Sequence, residues 1–314
     1  MVVIIVMLLV SVLASQLIML VRTELKIAAN TKARAAGLFL AEAGINLSIF
    51  RLNDKPLEIK DEVDENFIEA CLYEDYLPTG GITYYAVSEA GKIDLNRSPQ
   101  RLLELFLEYH GLDSDQVVTV VDSLLDWRDS DDLHRLNGAE KETYEELEPP
   151  YIPRNGKIVD PAEFFLVHGT DILADRFVPE DVFTVHNNRN KINFKHLTPA
   201  MLDFIMQDDE DKIAAYYETK KETGGKLSSA LARHIMGDER FDELKNFLTY
   251  TTTKSDPYYY IVAVGQAGYT KEEAEQEAIE EPAGKKQRPG AKLSVLVKFQ
   301  GAEFEYVSWR ETLT

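Results

Sequence analysis

A dense group of acidic residues follows an apolar run in the segment LLDWRDSDDLHRLNGAEKETY, residues 124–144. Carboxylate and amide oxygens are the ligands that Ca²⁺ prefers, and Ca²⁺ accepts about six to eight of them without strict geometry. The candidate oxygen ligands are Asp126, Asp129, Asp131, Asp132, Asn137 and Glu140. The segment therefore has three candidate roles: a solvated loop, an acidic site for a partner, or a cage for a hard cation.

The residues just before this loop, QVVTVVDSLLDW, predict a helix that delivers the acids at its carboxyl end. Its apolar residues share one face at helical spacing. Asp122 lies one turn before Asp126, so these acids face the negative end of the helix dipole, at a cost of roughly 0.3 to 1 kcal/mol each. Arg128 and Arg135 can offset part of this cost, and a cation can offset more. The spacing is not the regular twelve-residue EF-hand pattern, so the residues alone leave the three roles open.

Composition restricts the function classes. The chain has 314 residues, 45% of them hydrophobic, and a net charge of -20. This length and composition suit one large or two medium globular domains. The negative charge opposes general binding to nucleic acid or to an anionic membrane surface. Cys71 is the only cysteine, so no intrachain disulfide forms.

Motifs for catalysis are missing from the sequence. It contains no G-x-S-x-G elbow, no P-loop, no H-E-x-x-H helix and no paired C-x-x-C. We therefore expect a protein that is not an enzyme. A membrane-anchored enzyme or binding protein that depends on calcium remains the rival hypothesis.

The amino-terminal residues 1–21 carry no charge and are long enough, as a helix, to cross a bilayer. They lack the basic n-region of a cleaved secretory signal. The following residues continue with good helix formers, and the apolar ones recur at helical spacing. These apolar residues are Leu38, Ala41, Ile45, Ile49 and Leu52. The pattern predicts one long helix that runs from the membrane into a soluble domain. The alternative is a single-pass anchor followed by a separate stalk helix.

Strand patterns bracket a helical middle region. Residues 81–95 alternate, and three more strands are predicted in YYYIVAVGQAG, AKLSVLVKFQ and EFEYVSWRE. The polar residues 53–67 predict a connector, and the charged residues 270–290 predict a long loop. The fold class is therefore α+β: a long N-terminal helix packed on an antiparallel sheet that is interrupted by a large all-helical insertion domain.

Start signals for helices are clear in the middle region. Ser98 before Pro99, Asp160 before Pro161 and Thr198 before Pro199 are predicted N-caps. An internal sequence repeat, KIDLNRSPQRLL beginning at residue 92 and KINFKHLTPAML beginning at residue 191, indicates two related helical units. This opening resembles helix-hairpin-helix modules, which would make the chain a membrane-anchored DNA-binding protein. The lone glycines and surrounding acids disfavour phosphate binding at these hairpins, so we expect no nucleic acid partner.

Several features in one order carry a more specific resemblance. They are the uncharged helix running into AEAGI, KIDLN, LLDWRDSDD followed by NGAE and Tyr144, the second KINF, and YYYIVAVG followed by Trp309. Together they resemble the K subunit of the type II secretion system, a minor pseudopilin. The resemblance covers essentially the whole chain. It implies a pilin-like α/β fold with a large helical domain that binds calcium.

The resemblance also implies a domain plan and a location. Residues 1–22 would be the transmembrane part of the helix, and residues 23–95 the pilin-like helix, connector and first strand. Residues 96–250 would form the helical insertion of two SAM-like or helix-hairpin-helix-like units, and residues 251–314 the last strands. The protein would be anchored by one span in the inner membrane, with its soluble domain in the periplasm.

The partners that the resemblance implies are the I and J minor pseudopilins, the major pseudopilin filament, the inner-membrane assembly platform and the prepilin peptidase. The peptidase would cut at or near Met1, and processing of this family would include methylation. Pilin-like subunits usually carry a glutamate at the fifth residue of the mature helix. Here Ile5 would take that place, and no acid precedes Glu24. We therefore expect one copy at the tip of the pseudopilus.

Overall fold

The computed structural model of the chain describes residues 2–53, 67–187, 189–251, 257–273, 290–301 and 303–313. Most of the predicted connector and most of the predicted loop at 270–290 lie outside the described residues. Helix α1 (Val2–Asn53) is one continuous helix of 52 residues. The prediction of a single long helix, rather than an anchor and a separate stalk, is confirmed.

The first part of α1 has the character of a membrane span. Within the described residues, α1 is the helix that is long and apolar enough to cross a bilayer. Its most apolar stretch has a mean hydropathy of 2.8 and is not buried against the rest of the chain. The later part of the helix buries Ala41, Ile45 and Ile49 in a core. The helix thus changes from an exposed apolar rod to one wall of a soluble domain.

Five antiparallel strands form the main sheet, in the spatial order β1-β2-β7-β8-β9. The strands are β1 (Tyr73–Leu77), β2 (Gly80–Ser88), β7 (Tyr258–Ala267), β8 (Gly290–Gln300) and β9 (Glu303–Leu313). The three C-terminal strands lie where the sequence predicted them. Since β2 and β7 are neighbours in the sheet but far apart in the chain, everything between them is an insertion into the sheet.

Helix α1 lies across this sheet, centred on β7. Gly37 of α1 and Gly265 of β7 allow this close approach. A β-carbon on Gly265 would come within 2.0 Å of the Gly37 carbonyl oxygen and within 2.6 Å of the Ala41 nitrogen. Because neither position has room for a side chain, the two backbones fix where the helix sits over the sheet.

Eight helices and four short strands lie between β2 and β7 in the described part of the chain. The helices are α2 (Gln100–Tyr109), α3 (Ser114–Arg128), α4 (Lys141–Glu145), α5 (Pro179–Val182), α6 (Pro199–Met206), α7 (Glu210–Glu222), α8 (Ser229–Met236) and α9 (Asp238–Leu244). The strands are β3 (Ile93–Asp94), β4 (Phe183–Thr184), β5 (Ile192–Asn193) and β6 (Leu248–Thr249). A buried apolar cluster that begins at Ile93 and ends at Leu248 is separate from the cluster under α1.

The internal sequence repeat corresponds to a repeated local structure. Strand β3 pairs in parallel with β4, and β5 pairs in parallel with β6. In each copy the side chain at the second position accepts a hydrogen bond from the backbone two residues later, Asp94 from Asn96 at 2.8 Å and Asn193 from Lys195 at 3.1 Å. The sequence pattern did not predict these two-residue ladders.

Two local predictions are wrong. The strand predicted over 81–95 ends at Ser88, because the Ser88 hydroxyl accepts a hydrogen bond from the backbone of Ala90 and starts a 3₁₀ turn. Helix α2 is preceded by Pro99, and Ser98 makes no capping hydrogen bond. Thr198 does cap α6, accepting from Met201 at 3.2 Å. Asp160 forms a capping box with Glu163, although the element that it starts is a 3₁₀ helix.

Candidate metal centre

Helix α3 has the buried apolar face that the sequence predicts, and its last turn carries Asp126 to the start of the acidic loop. Val117, Val120, Val121 and Leu124 are buried, and the helix ends at Arg128. Trp127 anchors this end, because its ring is buried and packs edge-on against Tyr144 with centroids 5.2 Å apart. The acidic loop therefore leaves a fixed helix end.

The carboxylates of Asp126 and Asp129 both pair with the guanidinium of Arg135. Asp126 is fully buried, and its Oδ2 accepts a hydrogen bond from the Arg135 backbone at 3.0 Å. The Arg135 guanidinium bonds to the Oδ1 of Asp126 and lies 2.7 Å from the Oδ2 of Asp129. Arg135 thus offsets acids at the negative end of the helix dipole, as the sequence suggested. Arg128 instead donates to the carbonyl of Leu95 at 2.6 Å.

The next two acids order the loop itself. Asp131 accepts a hydrogen bond from the Leu133 backbone at 3.0 Å. Asp132 accepts one from the Asn155 side chain at 2.8 Å. Asn137 is placed by its backbone, which donates to Oδ2 of Asp122 at 3.3 Å. Asn155 was missed in the sequence because it comes from a distant segment that carries no metal-ligand pattern.

Among the six predicted ligands, Glu140 has the least hydrogen bonding to its side chain. It is 5% exposed, and neither of its carboxylate oxygens has a hydrogen-bond partner. Burial raises the pKa of Glu140 to about 7, and the nearby carboxylates of Asp126 and Asp129 contribute to this rise. Oδ1 of Asp129 is also buried without a partner. Unpaired buried carboxylates are costly, so a cation beside these oxygens would be stabilising.

The side chains do not form a finished coordination shell. Across the described residues, no group of three or more His, Cys, Asp or Glu side chains is close enough to hold a metal ion as they stand. The structure brings Asp126 and Asp129 together on Arg135 and places Glu140 within electrostatic reach of both. Asp131 accepts from the loop, Asp132 accepts from Asn155 outside it, and Asn137 donates to Asp122 of α3. The metal site remains a prediction.

The comparisons with known proteins bear on this same region. Residues 86–174, which include the acidic loop, match the family model described as Type II secretion system (T2SS), protein K. This segment is similar to the protein K family. The resemblance predicted from the sequence is thereby confirmed. Among curated protein sequences there is no match.

A comparison with solved structures covers more of the chain than the family match does. The chain is similar to one described as the crystal structure of the GspK-GspI-GspJ complex from the enterotoxigenic Escherichia coli Type 2 Secretion System. The identity is 14% and the TM-score 0.51, with 93% of this chain and 99% of that chain covered. This likeness in fold, together with the long helix, the antiparallel sheet and the helical insertion of this chain, confirms the α+β fold predicted from the sequence.

Proposed function

We propose that this chain is the K minor pseudopilin of a type II secretion system, a structural subunit of the secretion pseudopilus and not an enzyme. One observation carries this proposal: a helix with an exposed apolar first part packs on an antiparallel sheet, and a segment that matches the protein K family model is inserted between neighbouring strands of that sheet. The apolar part suits an inner-membrane span. The sheet and the inserted domain would then lie together in the periplasm.

The proposed partners are the I and J minor pseudopilins, at the tip of the filament. The similar solved structure is of a GspK-GspI-GspJ complex, which supports this assignment. Two features of this chain favour the tip. No acid precedes Glu24 in the apolar helix, so this part of the helix offers no carboxylate to pair with a neighbour's amine in lipid. The inserted domain, with a core of its own, would collide with a further subunit stacked on the same axis.

We propose further that the acidic loop binds a structural Ca²⁺. The donors are all oxygens, and the buried oxygens of Glu140 and Asp129 lack partners. These two residues and Asp126 would hold the ion, with Asp131, Asp132 and Asn137 completing the shell after local adjustment of the loop. When bound, Ca²⁺ would supply positive charge that joins the end of α3 to the far side of the loop.

The test of the proposed function is capture of the complex from membranes. The full chain, carrying an affinity tag at its carboxyl end, is expressed with the I and J pseudopilins of the same organism and extracted in mild detergent. We expect all three to copurify in equal amounts. Imaging of the pseudopilus should place the chain at one end. A chain that copurifies with no pilin-like subunit, or that repeats along the shaft, would refute the proposal.

A further inference from the structure

Three basic side chains line an open cavity on the inserted domain. The cavity has a volume of about 500 Å³, and its lining residues are Arg97, Arg189, Asn190, Lys191 and Thr249. None of these described residues is an acid. Acidic residues outnumber basic ones in the whole chain by 54 to 34, so this lining has the opposite sign to the chain as a whole. Such a local reversal of charge attracts a negatively charged ligand.

Short ladders and turns fix the backbone that carries these side chains. Thr249 lies in β6, which pairs with β5, and Lys191 directly precedes β5. The backbone nitrogen of Arg97 donates to the Asp94 carbonyl at 3.2 Å, in the turn that follows β3. The side chains of Arg97 and Lys191 are exposed, and that of Arg189 is half-buried. The basic groups therefore extend from a fixed backbone and are open to a partner.

The first lysine of each copy of the internal sequence repeat has a different environment. Lys92 opens the first copy and is buried, and its ammonium group pairs with Glu89 and lies 4.2 Å from the centre of the Tyr260 ring. Lys191 opens the second copy and is exposed at the cavity. The residue three positions before Lys191 is Asn188, not an acid. The same repeat position is therefore neutralised inside the chain in the first copy and available to an outside anion in the second.

The inserted domain joins the sheet at the end that is far from the apolar part of α1. Gly37 of α1 lies against Gly265 of β7. Gly44, further along α1, lies against Ala263, which comes earlier in β7. Strand β7 is therefore antiparallel to α1, and its first residue, Tyr258, is at the far end of the sheet.

His186 connects the cavity to this far end. Its ring stacks on the ring of Tyr258, with centroids 4.6 Å apart. Arg189 follows His186 by three residues and lines the cavity. The cavity therefore lies beside the far end of the sheet.

The distance from the apolar segment excludes the lipid headgroups of the anchoring membrane as the ligand. Residues 21–37 of α1 rise roughly 24 Å, at about 1.5 Å per residue. From Gly265 back to Tyr258, β7 adds roughly 23 Å, at about 3.3 Å per residue. The sum is several times the Debye length of about 8 Å at physiological ionic strength, so the headgroup charges are screened at the cavity.

The donors in the cavity suit an acidic segment of a protein better than a small oxyanion. Small phosphate sites use backbone N–H groups of a glycine-rich loop at a helix N-terminus. Here the charged donors are the ends of long side chains, in a cavity much larger than one phosphate fills. The guanidinium groups can bind carboxylates bidentately, and the Asn190 amide and the Thr249 hydroxyl can donate beside them. The net charge of -20 opposes binding of nucleic acid.

We propose that this cavity binds an acidic segment of another protein, with two or three Asp or Glu side chains among Arg97, Arg189 and Lys191. The location of the site rests on the proposed function, because that function takes residues 1–21 as the membrane span. The partner then approaches from the side of the domain that is away from the inner membrane.

The experiment measures binding of an acidic peptide to the full chain in detergent. The probe is a fluorescein-labelled peptide of six glutamates between glycines, and the same peptide with glutamines is its uncharged control. Fluorescence anisotropy gives the Kd, and we expect binding of the acidic peptide only. Raising the salt from about 0.1 M to about 1 M should weaken binding, because the Debye length falls from about 10 Å to about 3 Å.

Matched variants assign this binding to the cavity. Arg97→Gln with Lys191→Gln should raise the Kd by roughly fivefold or more, since two ion pairs with the peptide are lost. Lys141→Gln with Lys226→Gln removes the same charge from exposed positions that do not line the cavity, and should leave the Kd unchanged. Equal melting temperatures would show that both variants fold. Equal increases in Kd for the two variants would overturn the inference.

Competing ligands complete the test. Inorganic phosphate should displace the peptide no better than chloride at equal ionic strength, and a labelled DNA duplex should bind more weakly than the peptide. Displacement by phosphate alone, or tighter binding of the duplex, would overturn the inference. A chain that copurifies with the I and J pseudopilins but does not bind the peptide would overturn this inference alone. A chain that binds the peptide but does not copurify would overturn the proposed function.

Discussion

Gly138 lies against the carboxylate of Asp126, and a β-carbon at Gly138 would stand 1.9 Å from Oδ2 of that residue. Asp126 cannot move away freely, because its side chain is fully buried and Oδ2 accepts a hydrogen bond from the Arg135 backbone. The far side of the acidic loop is thus closed by backbone packed directly on a buried acid.

Substitution of Gly138 should therefore destabilise the inserted domain. We expect Gly138→Ala to lower the free energy of unfolding by about 1 to 3 kcal/mol, because the added methyl group forces the carboxylate or the loop to shift. Urea denaturation of the chain would measure it. Gly156→Ala is the matched control, since its β-carbon would meet only the Arg154 carbonyl at 3.8 Å. Equal losses for the two variants would contradict the steric explanation.

Calcium should stabilise the chain through the same loop. A ligand that binds only the folded state stabilises by mass action, by about 2.7 kcal/mol at a hundred times its Kd. We expect calcium to raise the Tm of the unaltered chain. The double variant Asp129→Ala, Asp131→Ala should lose most of this increase in Tm. Glu222→Ala, an exposed acid on α7, should keep the full calcium effect. The same Tm in calcium and in chelator for the unaltered chain would exclude the site.

His110 should make stability depend on pH in the acid range. Burial lowers the pKa of His110 to about 4, and the nearby Arg176 contributes to this lowering. The unfolded chain takes up this proton near pH 6.5 and the folded chain only near pH 4, so stability falls as pH drops through that window.

His110→Phe should reduce that loss, since the ring still packs on Phe106 and Phe177 without binding a proton. Denaturation midpoints between about pH 7 and about pH 4 would measure the effect. His234→Asn, at an exposed position of α8, should keep the slope of the unaltered chain. A His110→Phe chain that retains the full acid loss would assign it to other groups.

Much of the fold could be predicted because its signals are local. The uncharged run and the helical spacing up to Leu52 specify one helix, and alternation in YYYIVAVGQA specifies β7. The two-residue ladders at Ile93 and Ile192 could not be predicted, because so short a strand has no period of its own. They exist only because Phe183 and Leu248 come beside them in the folded chain.

The candidate metal site was predictable in composition but not in geometry. Asp126 and Asp129 are close in sequence at a helix end, so their meeting follows from local structure. The contribution of Asn155 and the burial of Glu140 depend on how the loop folds back on the domain.

The apolar start of α1 should be dispensable for the fold of the soluble part. A chain that begins at Thr23 lacks the uncharged segment but keeps Ala41, Ile45 and Ile49, which form the helix side of the core. We expect this chain to stay in solution without detergent and to show the circular dichroism of a folded protein. The full chain should sediment with membranes after salt washing. A full chain that is released by salt alone would argue against a membrane span.

Glu69 should join the inserted domain to the main sheet. Its Oε2 lies 2.6 Å from Nδ1 of His196, and its Oε1 accepts a hydrogen bond from the Tyr259 hydroxyl at 3.3 Å. Burial acts to raise the pKa of Glu69, but the charges of His196 and Lys220 outweigh it and hold the pKa below its usual value. The carboxylate therefore links a residue of the insertion to a residue of β7.

Removing this charge should cost more than removing a charge at the surface. We expect Glu69→Gln to lower the free energy of unfolding by about 1 to 3 kcal/mol, because the buried negative charge that faces His196 and Lys220 is then removed. Glu145→Gln breaks the exposed pair with Lys141 and should cost less than about 0.5 kcal/mol. Urea denaturation of Glu69→Gln, His196→Asn and the double variant completes a double-mutant cycle. We expect a coupling free energy above about 0.5 kcal/mol between the two positions. Additive losses would show that Glu69 acts through other contacts.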